Sequence, residues 1–232
     1  MARRLVLVLL ATGMLLGLLA PSAAASSFTI VQPTEKYAGK TYGQWSAAWW
    51  QWAANISEPN SPVTDDTGAD CAVNQKGSVW FLAGTTGGSA TRSCTVPADK
   101  AILVPIINGE CSTVEGNGTT DAELRACARD LIDHVTQTSA SVDGTAIDLG
   151  PVSQGRFRFQ SPLFTITFAP NNGFYPDGSV VGTGKAVSDG FWVMVKPLSK
   201  GQHTIDFQGT AVFDGFVFQV GVHYDLTVTE NR

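Results

Sequence analysis

Four tryptophans stand within eight positions, as Trp45, Trp49, Trp50 and Trp52. An indole offers a flat apolar face and one N–H donor, so an exposed one can stack on a sugar ring. At helical spacing Trp45, Ala48, Trp49, Trp52 and Ile56 share one face and belong to a core. Trp50 lies about 100° round from Trp49, outside that stripe. It is the expected platform for a ligand, with Trp49 and Gln51 beside it. A loop after Pro59 folding back over the indole is the competing expectation.

Carboxylates and imidazoles supply the remaining chemistry. Asp65, Asp66 and Asp70 surround Thr67-Gly68-Ala69, and oxygen donors of this kind suit calcium. The spacing departs from the D-x-[DN]-x-[DN]-G loop, and a solvated acidic turn is the plainer explanation. Glu110 follows the apolar run Ala101–Ile107 and precedes Cys111, where a strand end would hold it rigidly, as a general acid or base requires. An ordinary strand-end turn has the same appearance. His203 shares its parity with Ile205 and Phe207 and is expected to face an apolar side. Glu110 with one of Asp65, Asp66 or His203 is the acid/base pair to expect. His223 and Asp225 lie two apart on a polar face, without the nucleophile that a triad needs. His134 belongs to the end of a helix, where the dipole favours it. The chain contains no G-x-S-x-G elbow, H-E-x-x-H, P-loop or dinucleotide fingerprint.

The elements that must position these groups announce themselves locally. Thr41-Tyr42-Gly43-Gln44 and Thr120-Asp121-Ala122-Glu123 are capping boxes, which predict helices near 42–55 and 121–137. The second carries an apolar stripe of Leu124, Cys127, Ala128, Leu131 and Val135, with Asp121–Arg125, Arg129–Asp133 and Asp130–His134 as solvent-side pairs. Most of the rest is strand. Residues 156–160 and 164–168 alternate, and Phe216 to Thr229 places Val220, Val222, Tyr224, Leu226 and Val228 on one parity. Val79–Gly84, Ala101–Ile107 and Phe191–Val195 are apolar on both parities, as buried strands are. Pro105 calls for an edge or a bulge. Asp143-Gly144, Asn172-Gly173, Asp177-Gly178, Asp189-Gly190 and Asp214-Gly215 predict turns. The expected fold is mainly β, a single jelly-roll-like β-sandwich with two peripheral helices.

The chain of 232 residues has a formal net charge of −5, so a nucleic-acid partner is not expected. A hydrophobic fraction of 44% with 15% charged residues excludes a disordered polyampholyte. Arg3-Arg4, the apolar run Leu5–Ala20 and Ser22-Ala23-Ala24-Ala25 predict a signal peptide over residues 1–25, with one domain over 26–232 and no membrane anchor after cleavage. In an oxidising compartment four cysteines favour two disulfides. Cys71–Cys94 and Cys111–Cys127, which close short loops, are the expected pairs.

The Trp45-x-x-x-Trp49-Trp50-x-Trp52 segment, Trp80–Gly84, Cys94–Ala101 and Leu198–Ile205 together resemble a group of secreted bacterial proteins of unassigned function. The resemblance covers most of the chain from Tyr42 onward. It implies export and a single domain, and no activity. The expected function is an extracellular binding protein, for a carbohydrate or a cell-surface partner. A polysaccharide hydrolase or lyase and a structural envelope protein are the alternatives. No cofactor is expected beyond calcium at the acidic loop.

Overall fold

The computed structural model describes residues 28–230. The signal peptide expected over 1–25 lies outside the described residues. Helix α1 spans Tyr42–Ala53 and α2 spans Asp121–Asp133. Strands follow as β1 Val79–Phe81, β2 Gly88–Pro97, β3 Ala101–Ser112, β4 Val135–Val142 and β5 Thr145–Ala146. After a short 3-10 turn at Val152–Gln154 come β6 Phe164–Phe168, β7 Gly182–Val195, β8 Gly201–Phe213 and β9 Phe216–Thr229. They form two packed sheets, ordered β1-β3-β7-β6 and β2-β9-β8-β4-β5, so the mainly β sandwich with two helices is as expected. β1 runs parallel to β3 and β2 parallel to β9; the remaining pairs are antiparallel.

Both capping boxes are formed. Thr41 and Gln44 satisfy each other's backbone donors, as do Thr120 and Glu123. The helix ends differ from expectation. α2 stops at Asp133 rather than 137, because Val135 pairs with Ala211 at the head of β4 and is buried there. Asp133, the last residue of α2, pairs with Arg158 at 2.6 Å rather than with Arg129. The segment 156–160 is not a strand. Arg158 makes one isolated bridge to Phe191, and its guanidinium spans Asp189 and Asp133. Asp189-Gly190 is likewise no turn but the middle of β7. A Cβ at Gly190 would lie 2.3 Å from Asn108 Cβ, so glycine is there for close strand approach. Pro105 does mark a bulge, in the register shift of β3 against β7.

Side-chain alternation explains how the layers stack. On β7, Ser188 and Trp192 meet Ser46 and Trp49 of α1, whereas Val187 clusters with Leu124 and Ala128 of α2. Odd and even residues of a strand point oppositely, so the two helices cover opposite faces of the first sheet. The face bearing Ile107, Gly109 and Cys111 is shared. Gly109 approaches Leu131 of α2, and Ile107 nests against Gly209 of β8, where an added Cβ would be 2.4 Å away. A seam is left where α2 and the second sheet part.

The cysteines pair as expected. Cys71–Cys94 ties the acidic loop to β2, and Cys111–Cys127 ties β3 to α2. Among the described residues no helix is long and apolar enough to cross a membrane.

Candidate functional site

α1 is buried on nearly every side rather than along one stripe. Trp49 donates its indole N–H to Leu82 C=O at 2.7 Å, Trp52 to Val73 C=O at 2.9 Å and Trp45 to Tyr37 C=O at 3.0 Å. Trp50 is the correction: it is only 7% exposed. Phe174, from the loop before β7, packs on it with ring centroids 4.8 Å apart, and Val63 closes the same pocket. An exposed indole platform is therefore absent at this position. Trp49 and Trp50 line a chamber of about 40 Å³, and the Trp50 indole nitrogen is buried without a hydrogen-bond partner. Gln51 is exposed and donates to Thr165 C=O at 2.9 Å, which ties α1 to β6.

The seam between α2 and the second sheet is a cleft of about 230 Å³. Its walls are Ile107, Leu131, Val135, Ala211, Phe213 and Phe218, with Asn108 as the polar side chain. The β8–β9 hairpin forms one lip. Its register opposes Ala211 to Phe218 and Phe213 to Phe216, so Phe216 extends the cleft-facing side at the tip while 61% exposed. Val212 and Val217 oppose each other on the other side, 44% and 54% exposed. The cleft and the Trp50 chamber share Ile107, Asn108 and Phe218, so the two adjoin.

The acid/base candidates are not brought together. Glu110 lies within β3, opposite Ser188 of the first sheet, and is not in a strand-end turn. His203 opposes Leu226 in the second sheet. Burial and the neighbouring Glu115 push the Glu110 carboxyl well above the usual carboxylate range. Tyr175, raised by burial and by Glu115, donates a short hydrogen bond to Glu115. Neither Glu115 nor Tyr175 stands out in sequence, since each sits in a loop without a motif.

His203 is buried, as its parity predicts. Its Nδ1 lies 2.8 Å from Asp143 Oδ2, and its Nε2 lies 3.3 Å from Ser199 Oγ. The order Ser–His–Asp resembles a nucleophile relay, but Nε2 is also 2.9 Å from the Ser199 carbonyl. That contact requires an N–H on Nε2, which leaves no lone pair to activate the hydroxyl. With Asp143 also accepting from Thr204 N–H at 2.8 Å, the group is a clamp between two turns.

The acidic loop is occupied with its own fold. Asp65 accepts from Thr67 N–H, Thr67 Oγ1 and Asp70 N–H within 2.8 Å. Those bonds pull its carboxyl down despite partial burial, while burial with Asp65 and Glu58 nearby raises Asp70. Asp66 is exposed. Asp65, Asp66 and Asp70 do not converge, and among the described residues no group of three or more His, Cys, Asp or Glu side chains is placed to hold a metal. The calcium expectation at this loop finds no support, because the three acids form no shared cage and Asp65 turns to donors of its own loop. His223 bonds Asp206 at 2.6 Å across the strand pair and Asp225 at 3.3 Å, an open surface cluster.

No family model, curated protein or solved structure matches the chain.

Proposed function

We propose that this is an exported binding protein whose ligand presents a compact apolar group to the cleft between α2 and the β8–β9 hairpin. The cleft itself carries the reading. About 230 Å³ walled by aliphatic and aromatic side chains exceeds the ~150 Å³ that admits benzene into an apolar cavity, so a two-ring aromatic or short acyl group fits. Asn108 offers one orienting hydrogen bond. Export is supported by the leader-like residues 1–25, by the resemblance to secreted proteins and by two disulfides. A carbohydrate on Trp50 has lost its support with the burial of that ring. A cell-surface protein partner is the second reading, favoured by the exposed Val212 and Val217 beside Phe216.

The test is a fluorescence titration with 1-naphthol. Saturable binding is expected, weakened at least tenfold by Leu131→Trp, which fills the cleft. A wild-type protein that leaves the probe unchanged, or a variant that binds equally, removes the small-ligand reading and favours the protein partner.

A further inference from the structure

Two carboxylates meet near the end of β3, and among the described residues no salt bridge involves either of them. Glu110 is 7% exposed, and its Oε2 is buried with no hydrogen-bond partner. Glu115, in the turn after β3, stands beside it and accepts Ser112 Oγ at 2.7 Å and the Tyr175 hydroxyl. Ser112 N–H donates to Asn117 Oδ1 at 2.9 Å, which closes the turn around the carboxylates.

A shared proton between the two carboxyls removes the like-charge repulsion but serves only one Glu110 oxygen. The other stays desolvated and unpaired, which is costly. A hard cation resolves both problems at once. Glu110 and Glu115, with the Ser112 and Tyr175 hydroxyls that reach Glu115, supply oxygen donors alone, with no sulfur or nitrogen, which is the donor type calcium takes. Glu115 is half-buried, so the group opens toward solvent on that side. We propose that Glu110, Glu115, Ser112 and Tyr175 form a calcium site, separate from the apolar cleft.

The site also bears on the tryptophan cluster. Tyr175 adjoins Phe174, the ring that covers Trp50, so an ion held here fixes the loop that closes the α1 pocket.

The experiment uses the oxidised, EDTA-treated protein, titrated with terbium and melted with and without calcium. Terbium luminescence, sensitised by Tyr175, is expected to saturate and to be displaced by calcium. Calcium at about 100 times its Kd is expected to raise Tm by roughly 5–10 °C. Glu110→Gln keeps the shape but cannot carry the charge; it is expected to lose both responses while its calcium-free Tm is retained. Asp65→Asn is expected to keep both. Should Glu110→Gln not fold, Tyr175→Phe takes its place, with a calcium response at least tenfold weaker. No saturable terbium signal in the wild type, or a response in Glu110→Gln equal to it, overturns the site; a buried water at Glu110 Oε2 would give those results.

Discussion

Arg92 carries a guanidinium to 1% exposure in β2. Its Nε donates to Asp65 C=O at 2.6 Å, Nη1 to Ala83 C=O at 2.7 Å and to Tyr224 Oη at 3.0 Å, and Nη2 to Val63 C=O at 3.1 Å. The planar fork thus satisfies three carbonyls from two loop segments, around 63–65 and 83, together with the Tyr224 hydroxyl, which an ammonium could not match. It explains why the loop before Cys71 holds its course. Arg92→Met is expected to lower stability by about 3 kcal/mol or more, because those acceptors are left buried and unpaired. A urea midpoint equal to wild type would refute that role. The sequence carried a signal for it: Arg92 shares the inward parity of Ala90, Cys94 and Val96. A charged residue on an apolar parity is a buried ion seeking partners, but the partners lie in segments that no local pattern identifies.

At the scale of elements, helix starts were legible and helix ends were not. A capping box is a bargain between residues three apart, so Thr120 and Glu123 declare it in sequence. Glu123 accepts from Thr119 and Thr120 N–H groups, and those bonds hold its carboxyl down to about 2. A carboxylate depressed in the fold stabilises above its ordinary value near 4.5, and that contribution fades as pH falls through about 2. Glu123→Gln is therefore expected to flatten the dependence of Tm on pH between about 4.5 and 2. Parallel acid limbs for the two proteins would contradict the cap. Where α2 stops is decided instead by β8, since Val135 must pair with Ala211. The same distinction holds for α1. Its first stripe of tryptophans is core as predicted, yet Trp50 is buried by Phe174, which arrives from another part of the chain.

For the whole molecule, the disulfides join layers that the sheets alone do not. Cys111–Cys127 closes a separation of 16 residues between the first sheet and α2, and Cys71–Cys94 one of 23 between the acidic loop and the second sheet. In the chain-entropy model each stabilises by about 2–4 kcal/mol. Reduction is expected to lower the unfolding free energy by several kcal/mol, read as a lower denaturant midpoint. A midpoint unmoved by reductant would show that packing alone holds these layers together. Loosening α2 also opens one wall of the apolar cleft, so naphthol binding is expected to weaken on reduction before the sandwich melts.

The sequence by itself determined the features whose parts are neighbours along the chain. These are the two helix starts, an irregularity of the strand at Pro105, the short-loop disulfides and the alternating faces of β6 and β9. Each rests on backbone geometry over a few residues or on the entropy of a short loop. Only the tertiary structure decided that Trp50 is covered, that Glu115 lies beside Glu110 and bonds Tyr175, and that α2 and β8–β9 leave a cleft. Those depend on strand order and on which loop crosses which face. The Tyr175–Glu115 bond spans 60 residues, and the Arg92–Tyr224 bond spans 132. Periodicity reports which side of an element is apolar; only the assembled layers determine what meets that side.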